Sequence, residues 1–354
     1  MAQALRLAEH GLYSTSPNPR VGCVLVRDGV VVGEGWHERT GEPHAEIHAL
    51  RAAGDAARGA TAYVTLEPCS HHGRTPPCAE ALIAASVARV VVAVQDPNPQ
   101  VAGQGIAKLR AAGIEVECGL MEAAARELNI GFFTRMTRGT PWVRSKIAAS
   151  LDGRTALANG ESKWITGASA RQDVQHWRAR SCAVLTGIGT VLADDPQLNV
   201  RDLATSRQPL RAVVDNGLRL PPNAQLLQES GTVVYTVTQD AQKIAALEQA
   251  GARVVVLPDV NGQVDVAAVL RDLAMQGCNE VLVEAGSKLN GALLNEGLVD
   301  ELVLYLAPQL LGDMARGMAR LDELTSLDQR INLEWQDVRH VGIDLRIVAR
   351  VKKG

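Results

Sequence analysis

A histidine and two cysteines on separate stretches of one chain can serve a single metal ion only if the fold returns those stretches to the same point. That demand limits this chain more than its composition does. The stretches are PHAEIHAL (43–50) and EPCSHHGRTPPC (67–78). They offer His44, Cys69 and Cys78 as ligands, with Glu46 beside the metal but not on it. Three protein ligands leave one coordination position open, as a catalytic zinc requires, and water there is activated near neutral pH.

The flanking residues support a matching local structure. Pro43 suits the first turn of a helix over 43–53, which places His44 and Glu46 in its opening turn. The run TAYVTLE (61–67) reads as a strand, with Cys69 just after it, and Cys78 opens the helical stretch CAEALIAAS. Both ligand groups then lie near helix N-termini, where thiolate is favoured over thiol. The arrangement follows the H-x-E…P-C pattern of zinc nucleobase deaminases, whose glutamate moves protons and does not ligate. Other assignments exist. His44 and His48 are four apart on one helix and can pair on a metal without Glu46, and Cys69 and Cys78 can be ordinary buried thiols. His71 and His72 read as loop residues facing substrate.

Beyond this site, alternating strand and helix patterns run the length of the 354 residues and predict an α/β protein with helices packed on its sheets. TRGTPW (137–142) interrupts the helical EAAARELNIGFFTRM and precedes a new β/α series, so two domains are expected, 1–139 and 140–354. A net charge of −3, 3% aromatic residues and no basic stripe argue against a nucleic-acid partner. No apolar run has the length of a membrane span, and MAQALRLAEHGLY lacks the h-region of a secretory signal. The four remaining cysteines, Cys23, Cys118, Cys182 and Cys278, are scattered singly. That is the usage of a reducing compartment, and the expected location is the cytoplasm.

The chain closely resembles the bacterial bifunctional riboflavin-biosynthesis enzymes that fuse a diaminohydroxyphosphoribosylaminopyrimidine deaminase to a 5-amino-6-(5-phosphoribosylamino)uracil reductase. In the first half the likeness rests on SPNPRVGCV (16–24), GEPHAEIHAL (41–50), TLEPCSHHGRTPPC (65–78) and QDPNPQVAGQG (95–105). In the second half it rests on KIAASLDGRTA (146–156), ESKWITG (161–167), TGIGTVLADDPQLNVR (186–201) and VEAGSKLNGALL (283–294). Eight residues separate Cys69 from Cys78, against two in tRNA and cytidine deaminases.

The resemblance implies a cytidine-deaminase-like zinc domain followed by a dihydrofolate-reductase-like domain. It implies hydrolytic deamination of 2,5-diamino-6-ribosylamino-4(3H)-pyrimidinone 5′-phosphate, then NADPH-dependent reduction of its ribosyl group to ribityl, in a homo-oligomer. Carried over position by position, it makes Glu46 the catalytic acid–base and assigns deaminase substrate contacts to Asn18, His71, Arg74, Asp96 and Asn98. Asn18 and Asn98 also sit in Asn-Pro pairs, which form turns with no further role.

For the reductase it assigns substrate contacts to Ser162, Arg178, Leu198, Arg201 and Glu284. Cofactor contacts fall to Ala148, Trp164, Thr190, Asp194, Asn216, Gly286, Ser287, Lys288, Leu289, Asn290, Gly291 and Ala292. Where Asn216 stands, some relatives carry serine, and Trp164 can equally be a core residue. Lys146 is a candidate for polarising the sugar at the carbon being reduced. The residues' own signal here is slight. VEAG–SKLNGALL is a strand–glycine–helix transition whose amides can receive a phosphate, and no G-x-G-x-x-G follows a strand, which disfavours a Rossmann site. A nucleic-acid editor, or one inactive domain serving as a scaffold, are the competing functional classes.

Overall fold

The computed structural model describes residues 1–70, 77–99 and 101–353. It divides into two compact units, Met1–Thr140 and Pro141–Gly354. Among the described residues, no helix is long and apolar enough to cross a membrane.

The first unit runs α1 (Ala2–Glu9), β1 (Gly22–Arg27), β2 (Val30–Trp36), α2 (Ala45–Ala53), β3 (Thr61–Val64), α3 (Cys78–Ala84), β4 (Arg89–Val92), α4 (Gln104–Ala111), β5 (Glu115–Cys118), α5 (Glu122–Leu128) and α6 (Ile130–Arg138). Its sheet has the order β2-β1-β3-β4-β5. β1 is antiparallel to β2 and β3, whereas β3, β4 and β5 run parallel. Cys23 and Leu25 of β1, Ala62 and Val64 of β3 and Val90 and Val92 of β4 form its core with Leu82, Leu109 and Phe133 from the helices.

Two glycines let α2 lie directly on β2. A Cβ at Gly33 would stand 2.2 Å from the Ala49 carbonyl oxygen, and one at Gly35 would stand 2.5 Å from that of Ala45. The helix begins two residues later than its sequence pattern suggests. His44 is its extended N-cap (φ −76°, ψ 166°), so only Glu46 of the pair lies inside the first turn. The helix expected over EAAARELNIGFFTRM is broken at Asn129. There the side chain leaves the helix to bond both backbone groups of Arg20, each at 2.8 Å.

The second unit comprises β6 (Trp142–Ser150), β7 (Arg154–Ala156), α7 (Ala168–Arg180), β8 (Ala183–Gly187), α8 (Ile188–Asp194), β9 (Leu210–Val214), β10 (Thr232–Thr236), α9 (Ala241–Gln249), β11 (Ala252–Val256), α10 (Val266–Met275), β12 (Glu280–Val283), α11 (Ser287–Asn295), β13 (Glu301–Ala307), β14 (Arg316–Gly317), β15 (Leu333–Val341) and β16 (Asp344–Val351). Nine strands form one sheet, in the order β11-β10-β9-β8-β12-β6-β13-β16-β15. The seven from β11 to β13 are parallel, and β16 and β15 close the sheet as an antiparallel pair. The central strands are apolar on both faces, as a covered parallel sheet requires. At their amino ends, fully buried Arg144 lies between Glu280 and Glu301, so the charges of three neighbouring strands answer one another.

Candidate active sites

In the first unit, the end of β3 and the starts of α2 and α3 meet at one place. The ligand atoms of His44, Cys69 and Cys78 all lie within 4.8 Å of one another. His44 Nδ1 is 3.6 Å from Cys69 Sγ and 3.3 Å from Cys78 Sγ. Cys69 Sγ also accepts the Cys78 N–H at 3.3 Å, and the Cys69 carbonyl accepts that of Ala79 at 3.1 Å, which locks the loop onto the first turn of α3.

The Cys78 thiol, the His44 ring and the Cys78 N–H hold the Cys69 thiol down to about 4. Hydrogen bonding to Cys69 and burial push Cys78 up. Two thiols this close do not readily ionise together, and a dication beside them favours both thiolates. A nitrogen and two sulfurs in one cradle suit zinc.

Glu46 is buried on the same turn, and its Oε2 has no hydrogen-bond partner among the described residues. Burial raises its carboxyl to about 6, partly offset by His44. His48 is not part of the cluster, and its Nε2 is buried without a partner among the described residues.

A further histidine that sequence reasoning passed over supports this site. His37, buried at the end of β2, sets its Nδ1 3.2 Å from the Pro43 carbonyl and its Nε2 3.1 Å from Asn18 Nδ2. A carbonyl accepts, so Nδ1 carries the proton and Nε2 accepts from the Asn18 amide. That leaves Asn18 Oδ1 outside the pair. The His37 ring also stands edge-on to His44, centroids 5.2 Å apart.

Asp96 and Asn98 lie in the loop after β4, where Asp96 Oδ1 accepts the Asn98 N–H at 2.8 Å. His71, His72 and Arg74 lie outside the described residues.

In the second unit, Lys146, Ala148, Thr190, Asp194, Asn216, Glu284 and Gly286 fall along or just beyond the carboxyl ends of β6, β8, β9 and β12. This is the edge where open parallel sheets place their ligands. Arg178, from α7, reaches Glu284 with two bonds of 2.6 and 3.0 Å and the Asn199 carbonyl with a third of 3.0 Å. Burial is the main influence on Lys146 and lowers its pKa, while Glu284 partly restores it. Lys146 Nζ lies 6.0 Å from the centre of the Tyr305 ring.

Gly286 is the extended N-cap of α11 (φ −79°, ψ 174°), with no side chain of its own covering the first amides. The Cβ it lacks would stand 4.0 Å from Thr190 Oγ1, so the turns after β8 and β12 adjoin. Within α11, Leu289 packs in the core, Gly291 lies against the Arg320 carbonyl, and Asn290 bonds Ser145, Ala285 and Met318. Ser287, Lys288 and Ala292 are less buried.

Asp194 pairs with Lys163 at 3.1 Å. Trp164 is 69% exposed, with Arg171 4.4 Å over its ring, so it is no core residue. Asn216 bonds Gln263 and accepts the Val264 N–H, and Leu198 is buried. Arg201 bonds Gln197 and Gln175, while Ser162 is half-buried in the loop before α7.

Comparison with known proteins matches both halves. Residues 1–94 fit the cytidine and deoxycytidylate deaminase zinc-binding region, and residues 141–348 fit the RibD C-terminal domain. The two define a zinc deaminase joined to a reductase. The riboflavin biosynthesis protein RibD of Escherichia coli K12 is 52% identical, over 98% of this chain and 96% of that protein. The RibD protein of Haemophilus influenzae is 46% identical over 98% and 95%.

A crystal form of Acinetobacter baumannii RibD superposes with a TM-score of 0.92 at 49% identity, covering 99% of this chain and 98% of that one. The deaminase/reductase of Thermotoga maritima does so at 0.88 and 34%, over 99% and 97%. The chain belongs to the RibD family of bifunctional deaminase–reductases of riboflavin biosynthesis.

Proposed function

We propose that the first unit hydrolyses the 2-amino group of 2,5-diamino-6-ribosylamino-4(3H)-pyrimidinone 5′-phosphate. The second unit then reduces the ribosyl group of that product to ribityl with NADPH. The observation that carries the reading is the meeting of His44, Cys69 and Cys78 beside a buried carboxylate with a free oxygen.

His44, Cys69 and Cys78 would hold zinc, whose chemistry is to bring a water to ionisation near neutral pH. Glu46 Oε2 takes the proton of the attacking water and passes it to the ring nitrogen. It then takes the hydroxyl proton of the adduct and passes it to the amino group, which leaves as ammonia. A carboxyl raised to about 6 suits both roles. Asn18, oriented by His37, and Asp96 and Asn98 hold the pyrimidine ribosyl phosphate, with His71 and Arg74 assigned to the same pocket by family position.

In the second unit, NADPH, when bound, would supply the hydride for the sugar C1′. Lys146 Nζ supplies the proton that opens the ring at its oxygen, and Glu284 keeps that amine charged. Arg178 and Glu284 form one side of the substrate site, with Ser162, Leu198 and Arg201 on the loops around it. NADPH would lie along Ala148, Trp164, Thr190, Asp194, Asn216 and the turn from Gly286 into α11. Its phosphates would meet the amides of Gly286, Ser287 and Lys288, because Leu289, Asn290 and Gly291 are turned inward. The protein acts as a homo-oligomer in the cytoplasm, on a small molecule and on no nucleic acid.

Mass spectrometry of the product tests this directly. With the pyrimidinone substrate alone, an amino group should be exchanged for oxygen, and adding NADPH should add two hydrogens. A chelator should stop the first change while leaving reduction of the deaminated compound intact. No change to the substrate by zinc-loaded protein would overturn the reading.

A further inference from the structure

Glu67 stands two residues before Cys69, and nothing in the mechanism uses it. It is 4% exposed, and its four described partners are all backbone amides. Oε2 accepts from the N–H of Asp96 at 3.2 Å and of Gly103 at 2.9 Å. Oε1 accepts from Gly105 at 2.9 Å and Ile106 at 3.2 Å. One oxygen therefore joins the two feet of the loop 96–103, and the other caps the first turn of α4.

That helix has no cap of its own, since its N-cap is Gly103. The negative carboxylate supplies the missing acceptors and meets the positive end of the helix. Between the feet, Asn98 O accepts the N–H of Val101 and Ala102 at 2.8 and 3.0 Å.

A second observation fixes the same junction. A Cβ at Gly105 would stand 1.9 Å from the Pro68 carbonyl oxygen, and backbone at that distance cannot yield as a flexible side chain does. The start of α4 therefore rests against Pro68, the residue before Cys69.

We infer that Glu67 is a positioning residue for deamination: its carboxylate staples the loop bearing Asp96 and Asn98 to the strand end bearing Cys69, and so sets the distance between bound pyrimidine and metal. This rests on the reading that Asp96 and Asn98 hold substrate. Because the staple acts on substrate grip and not on the ligand set, its loss should appear in KM before it appears in kcat or zinc content.

Steady-state deamination by the full-length zinc-loaded protein tests this in Glu67→Gln, Gly105→Ala and Asn98→Ala. Glutamine presents an NH2 to amides that need an acceptor, so KM should rise about tenfold or more while kcat stays within about threefold. Gly105→Ala should shift KM in the same direction, and both variants should retain one zinc per chain and the wild-type rate of reduction of the deaminated compound. Hydrogen exchange over residues 95–106 should be slow in the wild type and faster in both.

If Asn98→Ala raises KM but Glu67→Gln does not, the staple is overturned and the pocket stands. If Asn98→Ala leaves KM unchanged, the pocket reading falls and this inference falls with it. Loss of zinc or an equal loss in kcat from Glu67→Gln makes the residue a support of the metal loop, against the proposal. Should Glu67→Gln not fold, Gly105→Ala and exchange in the wild type decide, and fast exchange of the four amides overturns the staple.

Discussion

The deaminase unit concentrates its chemistry and the reductase unit spreads it out. His44, Glu46, Cys69 and Cys78 span 35 residues of sequence and converge on a few ångströms, because a metal ion accepts only certain atoms at certain distances. The residues proposed for the reductase run from Lys146 to Ala292, at the ends of four strands and on the loops and helices around them. A dinucleotide groove is made largely of backbone amides and ordinary side chains, and many residue types serve. Metal chemistry thus leaves a spacing in the sequence, whereas cofactor binding leaves a surface.

This contrast can be broken by experiments that silence one unit alone. Glu46→Gln should lower deamination about 10²- to 10⁴-fold with zinc still bound and reduction intact. Loss of zinc by metal analysis would show the carboxylate to be a ligand. Next in size is Arg144→Met, which removes the buried cation shared by Glu280 and Glu301 and leaves them only Arg180 and Arg350. It should cost about 3–5 kcal/mol in denaturant unfolding. A smaller loss would show that Arg180 and Arg350 suffice to balance the two carboxylates.

Lys146→Met should slow reduction about a hundredfold and leave deamination unchanged. Burial lowers the Lys146 pKa, and a donor must hold its proton. The reduction rate should therefore fall as pH rises through that lowered value, below the ordinary 10.5 of lysine. A rate that stays flat up to 10.5 would remove Lys146 as donor. Mildest is Gly33→Ala, expected to destabilise by about 1–3 kcal/mol and to weaken deamination without touching reduction. Equal damage to both activities would end the claim that its effect is local.

The sequence was legible where side-chain chemistry and spacing coincide, and quiet elsewhere. The ligand triad and most parallel strands follow from their residue patterns. β15 was missed because LEWQDVRHV carries polar residues through much of an exposed edge strand, so no apolar alternation announces it. The break at Asn129 was missed because its cause, the Arg20 backbone, lies 109 residues away in sequence. Glu67 was read as the end of a strand, since a side chain whose partners are all main-chain amides has no complementary residue type to betray it. Family likeness supplied the reductase assignments that residue physics alone did not. In the structure Leu289, Asn290 and Gly291 are buried.

The bare backbone beneath α2 has an implication for how this enzyme can change. With glycine at 33 and 35, the helix that begins after His44 and carries Glu46 rests on the peptide plane itself, and any larger residue there would push against its backbone at Ala45 and Ala49. Adaptation to a bulkier or smaller heterocycle is therefore closed from the sheet side. New specificity has to come through the mouth of the pocket, where loops can lengthen or trade residues while the floor stays where it is.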